Sequence, residues 1–84
     1  MKPEDVKPGL MVRHFKHASE PEGSREGMYT VVCIARDSTT KDLRVIYRTA
    51  QRADRELEYW DRSMSEFCDT VHRPNYVGPR FIIL

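Results

Sequence analysis

At 84 residues the chain has room for one domain built on one core. A chain this short buries only roughly 60 to 65 % of its unfolded surface, which excludes a second lobe and an interdomain cofactor cleft. Apolar residues make up 39 %, too many for a disordered segment, and fourteen basic against thirteen acidic side chains give a net charge of +1, unlike the strongly basic balance of a general nucleic-acid binder.

Lys7-Pro8-Gly9 is a turn signal, and Leu10-Met11-Val12-Arg13-His14-Phe15-Lys16 after it alternates well enough to predict a first strand. Residues 17–27 are polar and contain Pro21, Gly23, Ser24 and Gly27. They read as an exposed loop, long for a domain of this size and so either mobile or functional. Residues 28–36 form the clearest strand, with Tyr29, Val31, Val32, Cys33 and Ile34 apolar or β-prone. The run is nearly continuous, which predicts a central strand covered on both faces and a buried free thiol at Cys33. Cys33 and Cys68 are the only cysteines, fewer than a disulfide scaffold carries.

Asp37-Ser38-Thr39-Thr40-Lys41-Asp42 is a polar connection to Leu43-Arg44-Val45-Ile46-Tyr47-Arg48, whose alternation predicts the second arm of an antiparallel hairpin. Residues 51–58 suit either one helical turn or a long hairpin arm. Leu57-Glu58-Tyr59-Trp60-Asp61-Arg62 reads as a further strand. Ser63-Met64-Ser65-Glu66-Phe67 has capping-box spacing, and a single helical turn there drops Met64 and Phe67 onto the core. The apolar tail, residues 77–84, predicts a closing strand. Four or five short strands, one long loop and one helical turn make a mainly β single domain over residues 1–84, either a small barrel or a bent antiparallel sheet. No apolar stretch approaches the ~18 residues of a membrane span. Met1-Lys2-Pro3-Glu4-Asp5 lacks a signal-peptide segment, so the cytoplasm is the expected location.

The ordered set Gly9, Arg13-His14-Phe15-Lys16, Tyr29, Ala35-Arg36-Asp37-Ser38, Ile46-Tyr47-Arg48 with Ala50, Trp60-Asp61-Arg62, Met64-Ser65-Glu66-Phe67 and Pro79-Arg80-Phe81 resembles the bacterial and phage family known as domain of unknown function 1653. The likeness spans nearly the whole chain. It departs at Asp37-Ser38-Thr39-Thr40, where the family carries His-Ser-Glu-Thr, at Asp61 and Ser63 in the usual Trp-Val-Arg-Pro, at His17 where a Gly is usual, and in a longer loop over residues 17–27. The resemblance implies an SH3-like barrel and little about activity. In a phage setting such a domain would act as a sponge for a host signal.

No catalytic motif is present: His14, His17 and His72 stand outside any recognised pattern, and there is no phosphate loop, His-x-x-x-His or Cys-x-x-Cys. His14 and His17 lack a third ligand at a matching spacing, so no metal and no cofactor are expected. The chain reads as a non-enzymatic binder. Its notable set is Arg13, His14, Lys16, Arg36, Arg48, Arg62 and Arg80 with Tyr29, Tyr47 and Trp60. Arg36 and Arg48 belong to opposite arms of one hairpin and are expected to meet on one face. Guanidinium groups take phosphate bidentately and a nearby ring stacks a base. The expected ligand is a small anion, a nucleotide or a nucleotide-derived signal, held by Arg13, Lys16, Arg36, Arg48 and Arg62 with Tyr47 or Trp60 stacking. The plainer reading stands beside it: strand arginines pair with carboxylates, and Trp60 and Tyr47 fill the core. Two other partners stay open, an extended peptide in an aromatic groove and, more weakly, single-stranded nucleic acid. A homodimer sharing one pocket is compatible with either.

Overall fold

A computed structural model of the chain describes residues 1–21, 23–50 and 56–84. The strands are β1 (Met11–His14), β2 (Met28–Arg36), β3 (Leu43–Thr49), β4 (Tyr59–Ser63), β5 (Thr70–Arg73), β6 (Tyr76–Pro79) and β7 (Phe81–Ile83), with one short helix, α1 (Met64–Phe67), between β4 and β5. The protein is mainly β. Five strands form an antiparallel sheet in the order β4-β3-β2-β1-β7, and β5 pairs with β6 in a separate hairpin. Among the described residues the sheet does not close into a barrel, so the bent sheet is the form adopted. Residues 51–55 lie outside the described residues, and with them most of the segment for which a helical turn or a hairpin arm was expected. No described helix is long and apolar enough to cross a membrane.

Each element follows from a local cause. β1 stops at His14 because the imidazole Nδ1 accepts the Lys16 amide at 3.3 Å and turns the chain into a 3-10 turn, Phe15–His17. This ends the strand two residues earlier than the alternation suggests. The Ser63 hydroxyl accepts the Glu66 amide at 3.2 Å, capping α1, and the single turn delivers Met64 and Phe67 to the core as its spacing predicts. Only the end of the tail forms the closing strand: β7 pairs with β1, Val12 opposite Ile83 and His14 opposite Phe81, while residues 77–79 belong to β6. The β5–β6 hairpin, turning at Pro74-Asn75, was not anticipated, since its strands carry little alternation.

One face of the sheet is packed and the other is open. Val12, Val31, Val45 and Tyr47 point to the packed face, where Val6, Met64, Phe67 and Phe81 complete the core. Phe67 stacks on Phe81 with centroids 4.3 Å apart, and Tyr47 meets both rings at 5.5 Å. The expectation that β2 is covered on both faces is overturned: only Val31 is buried, while Val32 and Ile34 keep more than a third of their surface. A β-bulge lies between Val31 and Cys33. Val31 pairs with Tyr47 on the packed face, but the extra residue, Val32, passes Cys33 to the other face, opposite Ile46. Cys33 is therefore an exposed thiol, not a buried one.

The bulge also separates Arg36 from Arg48. Arg48 pairs with Thr30 and Arg36 with Leu43, near opposite ends of the hairpin, and the parity change puts them on opposite faces. Their expected meeting does not occur.

Truncating Phe67 to Ala is expected to cost about 3–5 kcal/mol in urea unfolding, Ser63→Ala about 1 kcal/mol, and Val77→Ala, on an exposed side chain, close to nothing.

Candidate ligand-binding site

The packed face is left unfilled at its β4 end. Trp60 and Arg62 are the inward positions of β4, opposite Tyr47 and Val45 on β3. β4 is the edge of the sheet, so no further described strand covers the outer side of Trp60, and it keeps 47 % of its surface. The core reading of Trp60 is thereby corrected: the buried cluster is built without it. For Tyr47 the core reading holds, with 5 % of its surface exposed.

His14 and Phe81, paired across β1 and β7, face this end, and Tyr29 stands behind them on β2. The 3-10 turn carries Lys16 and His17 to the rim. These eight side chains, His14, Lys16, His17, Tyr29, Tyr47, Trp60, Arg62 and Phe81, line a concavity of about 270 Å³. Aromatic rings make its floor, with Tyr29 edge-on to Tyr47 at 5.3 Å and Tyr47 edge-on to Phe81. Among the described residues no Asp or Glu belongs to the lining.

The charge is held unevenly. Arg62 donates from Nη1 to Glu66 Oε1 at 2.6 Å and from Nε to the Tyr47 hydroxyl at 3.4 Å, and its guanidinium lies 5.7 Å from the centre of the Phe81 ring. One edge of the fork is thus fixed by helix α1 and the other by the floor. Lys16 is exposed and has no carboxylate partner among the described residues. His17 sits 3.6 Å from Glu20, and its ring packs on Gly27, where a Cβ would come within 2.5 Å of it. Gly27 has φ +68°, so glycine is required there twice over, by space and by conformation. This contact ties both ends of the 17–27 loop to the rim.

His14 reports the potential inside. Its pKa falls from 6.5 to about 4, first because the ring is buried, then because Arg62, Lys16, Arg80 and His17 all oppose a further positive charge. The imidazole is neutral at pH 7. With Nδ1 accepting the Lys16 amide, its proton is on Nε2.

Of the residues singled out in the sequence, the structure brings Lys16, Tyr47, Trp60 and Arg62 together, with His14 and Tyr29 from the wider set. Arg13, Arg36 and Arg48 go elsewhere. Arg13 projects from the open face, donating to the Ser24 carbonyl and, at 3.2 Å, to the Glu26 carbonyl, so that it staples the long loop. Arg36 holds the Lys41 carbonyl at 2.7 Å across the hairpin turn, and Arg48 reaches the Thr49 carbonyl at 3.3 Å. Arg80 lies 3.5 Å from Asp69 beneath the site. His17 and Phe81 were not expected here. Phe81 read as part of an apolar tail, and only its pairing with His14 places it on the wall.

Fold and site together define a small open-sheet β domain with an aromatic, cation-rimmed concavity. The chain belongs to the family described as "Protein of unknown function (DUF1653)", whose model matches residues 11–82 and so takes in every lining residue. No curated protein and no solved structure matches it.

An imidazole NMR titration is expected to place the His14 midpoint near pH 4, with Arg62→Met raising it. The sign for stability follows. The unfolded ring takes a proton near pH 6.5 and the folded one only near 4, so the stability present above 6.5 is lost as pH falls between those values. His14→Gln should flatten that part of the profile.

Proposed function

We propose that this domain is a non-enzymatic binding module for a small anionic ligand that carries a planar ring, a nucleotide or a nucleotide-derived signal. One observation supports the reading above the others: the concavity gathers Lys16 and Arg62 beside the half-exposed Trp60 with no Asp or Glu among its described lining residues, although the chain as a whole carries a net charge of only +1. An anion entering there meets the exposed Lys16 and the Arg62 guanidinium, which lies 5.7 Å from the centre of the Phe81 ring and also holds Glu66. Arg62, with its Nε and one Nη engaged, is held in place at little further entropic cost. The indole offers a face for stacking, a contact worth about 1–3 kcal/mol for a nucleobase.

Catalysis is the poorer fit. The only histidine on the inner wall has a pKa of about 4, far from the range in which a general base works well at neutral pH, and no serine, threonine or cysteine shares the wall with it. What remains is recognition.

Trp60 is the chain's single tryptophan, so its fluorescence reads the site directly. Adenosine and guanosine monophosphates are expected to quench it and to raise the melting temperature. Lys16→Ala should weaken binding about tenfold with no loss of stability, since its exposed side chain has no carboxylate partner among the described residues. Absence of quenching and of stabilisation across a panel of nucleotides and inorganic phosphate would sink the reading.

A further inference from the structure

Lys16 belongs to two concavities. On one side it borders the Trp60 site. On the other it borders a second hollow of about 380 Å³ lined by Phe15, Lys16, Ala18, Ser19, Asn75 and Tyr76. The ridge between them is the 3-10 turn Phe15–His17, and Lys16 is exposed upon it.

The second hollow repeats the chemistry of the first. Its ring wall is Tyr76, stacked on Phe15 with centroids 5.2 Å apart and planes 19° from parallel. Tyr76 is held in that pose: its hydroxyl donates to the Pro79 carbonyl at 2.8 Å, and Gly78 leaves room for it, since a Cβ there would come within 2.8 Å of that oxygen. The Arg73 guanidinium lies 5.8 Å from the centre of the Phe15 ring and adds positive charge nearby. The side chains of Asn75 and Ser19 have no hydrogen-bond partner among the described residues, which leaves an amide and a hydroxyl free to read the edge of a heterocycle.

Along the surface the order is therefore ring, cation, ring. We infer that the ligand is a pair of nucleotides joined through phosphate, one base against Trp60, the bridging phosphate over Lys16 and the second base against Tyr76 in the hollow beyond. The inference rests on the binding reading above and narrows it. A mononucleotide satisfies Trp60, Arg62 and Lys16 and leaves the second hollow empty. A bridged pair fills both, and a phosphate at the bridge meets a lysine with no carboxylate partner among the described residues. The same chemistry is offered by a free dinucleotide and by two adjacent nucleotides in a single strand.

The test uses the full chain and Trp60 fluorescence, with adenosine monophosphate, the 3′,5′-linked diadenosine monophosphate, pyrophosphate-bridged diadenosine and a ten-residue oligoadenylate as probes. At least one bridged pair is expected to bind about tenfold or more tightly than the mononucleotide, the gain of one further stacked base. Asn75→Ala and Ser19→Leu, both at exposed positions outside the core, should lower the affinity for the pair and leave that for the mononucleotide unchanged. A decamer no tighter than the pair assigns a free dinucleotide; a tighter, strongly salt-dependent decamer assigns a strand. Equal affinity for mononucleotide and pair, or variants that affect both alike or neither, overturns the bridged ligand while leaving the first site standing. Silence from every probe removes both.

Discussion

The stacking of Phe67 on Phe81 is the contact on which the rest of the molecule leans. It joins α1 to the last strand over the packed face, and Tyr47 closes the cluster edge-on from the middle of the sheet. The same rings then serve twice. Phe81 and Tyr47 are core on one side, 1 % and 5 % exposed, and floor of the concavity on the other. A floor made of core residues is held by the same packing that holds the fold, so the shape of the hollow is set by the core. It also means that the floor cannot be altered without weakening the fold, whereas the rim, Lys16 above all, can.

The bulge at Val32 is the second determinant. Inserting one residue in the central strand reverses the direction of everything after it relative to the neighbouring strand. Ile34 thereby shares a face with Val45, and Cys33 goes to solvent. Had the pairing run without the bulge, Arg36 would stand on the face of Thr30 and Arg48, the face away from the core. The positive charge that matters is gathered instead on the strand beside it and on the turn after β1.

Electrostatically the domain is nearly neutral as a whole and polarised at one place. Arg44 is neutralised by Asp61 at 2.7 Å and Arg80 by Asp69 at 3.5 Å, while Arg13, Arg36 and Arg48 spend donors on backbone carbonyls. Exposed ion pairs of this kind contribute little to stability and mainly fix where charge is absent. Arg62 too pairs with a carboxylate, Glu66 at 2.6 Å, so among the described residues Lys16 is the lining cation without one, and both add, after burial, to the suppressed basicity of His14.

The alternation of apolar residues, the capping serine and the turn signals were enough to locate β2, β3, β4, α1 and β7, because each depends on neighbours within a few residues. Lys16, Tyr47, Trp60 and Arg62 could be singled out as candidates from their chemistry, a cation or a ring suited to an anion or a base, and the structure places them around one concavity. What the chain by itself could not decide was which of the seven named residues meet. That was settled by strand order and register, which place β4 at an edge so that Trp60 stays half open, bring Phe81 opposite His14 across the two ends of the sequence, and send Arg13, Arg36 and Arg48 away. Pairing between distant segments is determined by the packing of all of them at once, and a single residue inserted into one strand is enough to turn the face of its neighbours.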